Sequence, residues 1–286
     1  MNSPYYIIRK VFMKKHLCTP QFYLFCAVIS ALIACIAQSI AYFKAYGSPL
    51  ANYFSASSPL PKIAVGFAIL TCVLGIVAVC LWKKDEIPMQ SLIGDISSLP
   101  AAVGFLAGMI LMLLSGSTVL TYAIAVCFFF ATHYHVIPAF RLINNRNERD
   151  TAALIGFSNV IGCILMIGYF YFDPSMEMNA PVKIGALIAI LFVALYYTSE
   201  IRVLLGNPLP KFYTLAIVCT TGIGALASLP VALAYMFFHC FDYTMPNPNS
   251  SLPFRHPEYL ACSLVLIGVC TTTVWRLCRL IRASKN

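Results

Sequence analysis

Eight long apolar runs, at about 21–43, 63–82, 99–116, 118–140, 152–172, 182–201, 212–239 and 259–278, decide what this chain can become. A helix needs about 20 apolar residues to cross roughly 30 Å of hydrocarbon, and each run is near that length. None alternates polar and apolar residues as a membrane strand does, so a β-barrel is excluded. Composition agrees. Only 10 % of residues are charged and 60 % are hydrophobic, whereas a soluble domain carries about 25 % charge to cover its surface. The spacing predicts an all-α polytopic membrane protein with about eight transmembrane helices. A single helical domain is expected over 21–280, preceded by a basic segment at 1–20 and followed by a short basic tail at 281–286. The connections are too short for a separate soluble domain.

The basic residues set the orientation. With eight spans both termini lie on one side. Fifteen lysines and arginines collect there, from Arg9, Lys10, Lys14 and Lys15 through Lys83, Lys84, Arg141, Arg146, Arg149, Arg202 and Lys211 to Arg276, Arg279, Arg282 and Lys285. The other side holds Lys44, Lys62, Lys183 and Arg255. The positive-inside rule makes the termini cytoplasmic. The net charge of +9 is thereby explained without nucleic acid; anionic lipid headgroups are the expected partners of that face. Size, short loops and the lack of a targeting segment point to a bacterial cytoplasmic membrane. "LIAC" ending at Cys35 resembles a lipoprotein cleavage site, but the apolar run continues and completes a span. Tyr5, Ile8, Val11, Phe12 and Lys15 share a helical stripe, which fits either an interfacial helix or a basic tail.

Metal and cofactor chemistry finds little footing. The twelve cysteines have no C-x-x-C spacing, and most lie within spans, where a free thiol behaves as a small hydrophobe. His133 and His135 are two apart, so a regular helix points them to opposite sides. No two histidines lie at matching depth in the core of the spans, as a bis-histidine haem requires. His239, Cys240, Asp242, His256 and Glu258 flank the loop "HCFDYTMPNPNSSLPFRHPEY", with residue types suited to a cation and a spacing that matches no established site. No cofactor is expected.

The central portions of the spans contain no Asp, Glu, Lys or Arg. Ionisable groups at that depth cost about 3 kcal/mol each and mark relays and active sites, so their absence argues against proton-driven transport and intramembrane proteolysis. No nucleophile or metalloprotease motif is present. The chain therefore reads as a non-catalytic membrane subunit, scaffold or sensor, alone or with a protein partner or a second copy of itself. The alternative is a carrier or channel for a neutral or cation-coordinated solute. Its site would be span seven, "CTTGIGALASLPVAL", where Thr220, Thr221, Gly222, Gly224 and Pro230 predict a broken helix, joined by the amide of Asn159. Gly104 and Gly108 in "GFLAG" predict a close helix contact within the molecule.

One carboxylate stands out. Glu200 ends the run "FVALYYTSE", and "GNPLP" then stops the helix, with Gly206 suited to the C-terminal turn. A carboxylate at a helix C-terminus opposes the helix dipole and requires a cation. Arg202 faces elsewhere at two residues' distance, so the expectation is a structural ion pair between Glu200 and an arginine from another element, with Arg141 as the named choice.

Overall fold

The computed structural model describes residues 19–45, 58–82, 96–115, 118–139, 146–173, 181–240 and 257–283. Among them regular structure is entirely helical: α1 (Pro20–Ala45), α2 (Pro59–Leu81), α3 (Leu99–Ser115, entered through a 3-10 turn, Ile96–Ser98), α4 (Val119–Ala139), α5 (Arg146–Phe172), α6 (Pro181–Leu204), α7 (Pro210–Cys240) and α8 (Pro257–Ala283). All eight are long and apolar enough to cross a membrane. The protein is a polytopic helical membrane protein. The starting residues explain several boundaries: α2, α6, α7 and α8 each open on a proline, whose missing N–H costs nothing in the first turn.

Six helices close into a ring. From α3 to α8 each packs on its successor, and α8 returns to α3. The α1–α2 hairpin lies outside this ring, against α7. Burial follows the topology, with 67 % of the membrane window enclosed in α7 and α8 against 33 % in α2. The remaining apolar surface of α2, including Val65, Ile69, Val73 and Ile76, is exposed, as a lipid-facing helix requires.

The seam between α3 and α8 depends on residues without side chains. A Cβ on Gly104 would sit 2.7 Å from the Leu264 carbonyl oxygen, and one on Gly268 would sit 2.5 Å from that of Pro100 and 3.1 Å from the Gly104 Cα. The expected contact of "GFLAG" is therefore within the molecule, and its partner is Gly268.

Helix α6 runs three residues past its expected end at 201. Its stop is a Schellman turn: Gly206 N donates to Val203 O (3.1 Å) and Asn207 N to Arg202 O (2.9 Å), with Gly206 at φ 77°. A side chain in this left-handed conformation costs about 1–2 kcal/mol. Gly206→Ala is expected to lower stability by about 1 kcal/mol, measured as a drop in the unfolding midpoint of the protein in lipid nanodiscs. An unchanged midpoint would count against the turn as the stop signal.

Candidate functional site

The extra turn of α6 places Glu200 inside the bundle. It lies four residues before the helix end, about 6 Å deep at 1.5 Å per residue, and its side chain is 1 % exposed. Its cation is Arg276, whose Nη1 lies 2.5 Å from Glu200 Oε1. Arg141, the partner expected from sequence, lies outside the described residues. The same Nη1 donates to the hydroxyls of Tyr196 and of Tyr213 (3.0 Å), and Nη2 donates to Ser98 Oγ (3.1 Å). The guanidinium carbon also lies 5.7 Å from the centre of the Tyr196 ring.

This corrects the assignment of Arg276 to the headgroup-facing basic set. It is completely buried, seven residues or about 10 Å from the end of α8. The asymmetry of basic residues survives its removal, at fourteen to four. Lys183, counted on the opposite side, is buried as well, and its Nζ donates to Asp173 O at 2.9 Å. The interior is thus free of formal charge only in its central turns.

Every helix of the ring reaches the cluster around this pair. α6 supplies Glu200, Tyr196 and Tyr197, α7 supplies Tyr213, α8 supplies Arg276, and the turn before α3 supplies Ser97 and Ser98. From α4 come Tyr134, which faces Glu200, and His135, whose Nε2 is 2.8 Å from the Tyr197 hydroxyl. The His135 ring stacks on Phe105 of α3 with centroids 5.6 Å apart. α5 contributes Gly156, where a Cβ would come within 2.9 Å of the Tyr134 ring. The cluster sits at the end of the bundle where α1 begins and α8 finishes, hereafter the terminal face.

Its hydrogen bonding is incomplete. Glu200 Oε2, Arg276 Nε, His135 Nδ1 and Ser97 Oγ are buried without a hydrogen-bond partner among the described residues. Buried polar groups are nearly always paired, and each orphan costs about 1–3 kcal/mol. Two of the four lie on the ion pair itself, and the other two lie on residues of the same cluster. A buried ion pair is weak evidence of stabilisation by itself.

The residues of the expected span-seven site have other employment. α7 continues as helix through Pro230. Thr220 Oγ1 donates to Phe192 O (3.0 Å), and Thr221 Oγ1 donates to Ile217 O and Thr273 Oγ1 (both 2.8 Å). A Cβ on Gly222 would meet Thr71 Cγ2 at 2.6 Å, and one on Gly224 would meet Cys270 Sγ at 2.5 Å. Here small residues let helices close on one another. Asn159 is buried on α5, with Nδ2 donating to Gly156 O (3.2 Å) and Oδ1 without a partner among the described residues. It lies one turn from Gly156, nearer the Tyr134 side of the ring than α7.

His133 and His135 diverge as a regular helix requires. His133 is exposed, its Nδ1 2.9 Å from Phe129 O, while His135 is fully buried. The side chains of His239 and Cys240, and all of Asp242 and His256, lie outside the described residues. Among the described residues no three His, Cys, Asp or Glu side chains group to hold a metal.

Sequence reasoning missed Arg276, Tyr196, Tyr197, Tyr213 and His135 as one site, although a signal existed. Val269, Thr273, Arg276 and Leu280 lie on the buried stripe of α8, at the 4-3-4 spacing of one helix face. Arg276 belongs to that stripe, and Arg279 and Arg282 do not. Comparison with protein-family models, with curated proteins and with solved structures gives no match.

Proposed function

We propose that this membrane protein is a non-catalytic component, a sensor or a subunit, that holds a small neutral hydrogen-bonding ligand in the cluster at its terminal face. The observation that supports this reading is the concentration, in the cluster of Arg276 and Glu200, of four buried polar atoms that have no hydrogen-bond partner among the described residues. An ionisable pair inside a membrane is retained for a role, and among the described residues Arg276 Nε and Glu200 Oε2 have no hydrogen bond, with Tyr134 beside the carboxylate. The pair carries no net charge, so its complement is neutral. The rings of Phe105, Tyr134, Tyr196 and Tyr197 surround it, which favours a ligand with an apolar body. Glu200 spends one oxygen on Arg276, which favours holding over proton-transfer chemistry. Transport through α7 draws less support, because its threonines and glycines are engaged in helix contacts.

The test is thermal stabilisation of the full chain in nanodiscs by a panel of neutral, lipid-soluble donor–acceptor compounds. A ligand at a hundred times its dissociation constant adds about 2.7 kcal/mol. Ser97→Ala removes a buried atom that has no partner among the described residues, so the unliganded midpoint is expected to rise, as the desolvation penalty goes with it, while the ligand shift falls. A destabilised apo variant would mean that Ser97 Oγ is already satisfied. Hits that bind the Ser97→Ala and His135→Phe variants equally well would remove the cluster as the site. Co-purification from native membranes then separates the two roles, since a stoichiometric partner makes the chain a subunit.

A further inference from the structure

Away from the cluster, two thiols face each other where the peripheral hairpin meets the ring. α2 and α7 run antiparallel, and glycines bring them together on both sides of this point. A Cβ on Gly222 of α7 would overlap Thr71 of α2, and one on Gly75 of α2 would lie 2.6 Å from Val218 Cγ1 of α7. Between these contacts lie Cys72 and Cys219, whose thiols are close enough to influence one another. Helices held this close by small residues bring facing cysteines toward the Cα separation of roughly 4.4–6.8 Å that a disulfide needs.

The two sulfurs differ in access. Cys219 is buried, whereas Cys72 is half-buried beside the exposed Ile69, Val73 and Ile76. A reagent dissolved in the membrane therefore meets Cys72 first. Other internal thiols are engaged differently: Cys35 Sγ donates to Ala225 O (3.7 Å) and Cys270 Sγ to Thr220 O (3.4 Å).

We propose that Cys72 and Cys219 form a reversible redox site, in which a membrane-soluble organic hydroperoxide converts the two free thiols into a disulfide. The Cys72 sulfur attacks the peroxide oxygen, the O–O bond breaks, an alcohol leaves and Cys72 becomes a sulfenic acid. The Cys219 sulfur then attacks that sulfur, the S–O bond breaks, and water leaves with the Cys219 proton. Two thiols and one hydroperoxide give one disulfide, one alcohol and one water; the sulfurs lose two electrons and the peroxide gains them. The product ties the α1–α2 hairpin covalently to α7, and external dithiol reverses it by exchange.

The experiment exposes the full chain in nanodiscs to cumene hydroperoxide, quenches with N-ethylmaleimide under denaturing conditions, and reads intact mass and linked peptides. The expected product carries two fewer maleimide adducts than the reduced protein. Its Cys72–Cys219 peptide should form at least tenfold faster than any other linkage, and dithiothreitol should restore both adducts. Cys219→Ala should instead retain one oxygen on Cys72, trapped as the sulfenic acid with dimedone. An unchanged adduct count, over-oxidation of Cys72 in the wild type without linkage, or another cysteine pair joining at a comparable rate would each overturn the proposal.

Discussion

Arg276→Met is expected to destabilise the protein by about 3–5 kcal/mol, the range for breaking a buried pair on one side only. The methionine fills much of the volume, but Glu200 is left 1 % exposed with neither oxygen compensated, and the hydroxyls of Tyr196, Tyr213 and Ser98 lose their common donor. The double change Glu200→Gln with Arg276→Met should recover most of the loss, because the uncompensated charge goes with it. Unfolding midpoints of both variants in nanodiscs provide the measurement. If the double variant is no more stable than the single one, the ion pair is not what the arginine supplies, and the tyrosine contacts take its place in the account.

Gly268→Val has a comparable expected effect through a different cause. The added atoms meet backbone on α3, the Pro100 carbonyl oxygen at 2.5 Å and the Gly104 Cα at 3.1 Å, and backbone cannot rotate out of the way as a side chain can. Overpacking of this kind costs about 3 kcal/mol at the upper end of its usual range. Parting α3 from α8 also lengthens the Ala101 N to Thr272 Oγ1 hydrogen bond, now 3.2 Å. Gly168→Ala is the matched control, since nothing lies within 4 Å of its added Cβ; better helix propensity should leave it neutral or more stable by up to about 1 kcal/mol. Equal midpoints for the two variants would show that the seam is looser than this contact implies.

The helices were legible because hydrocarbon imposes one length on every span, and that length is visible in composition alone. The stop at Gly206 was legible too, since a left-handed turn demands glycine. What could not be read was which helices are neighbours. The ring joins α3 to α8 across more than 150 residues, and nothing in either segment names the other. For that reason the sequence marks Glu200 as a carboxylate that needs a cation without naming Arg276, the residue beside it in the fold. Arg276 looked like one of several arginines at the end of a span. Only the phase of the helix separates it from Arg279 and Arg282. Span seven misled in the opposite direction. Small residues and a proline serve equally for unwinding and for close approach, and the choice depends on what packs there: Thr71, Cys270 and Thr273.

The closure of the ring by α3 and α8 bears on how the chain is made. Synthesis proceeds from the amino end, so the helix that seals the enclosure enters the bilayer after the other seven. Until then α3 has a bare glycine groove and Glu200 waits in the membrane without its counter-ion. The finished assembly is thereby distinguished from every shorter nascent one by a single late event, the arrival of Arg276. Any cellular machinery that senses an unpaired intramembrane charge can tell a chain that has delivered α8 from one that has not.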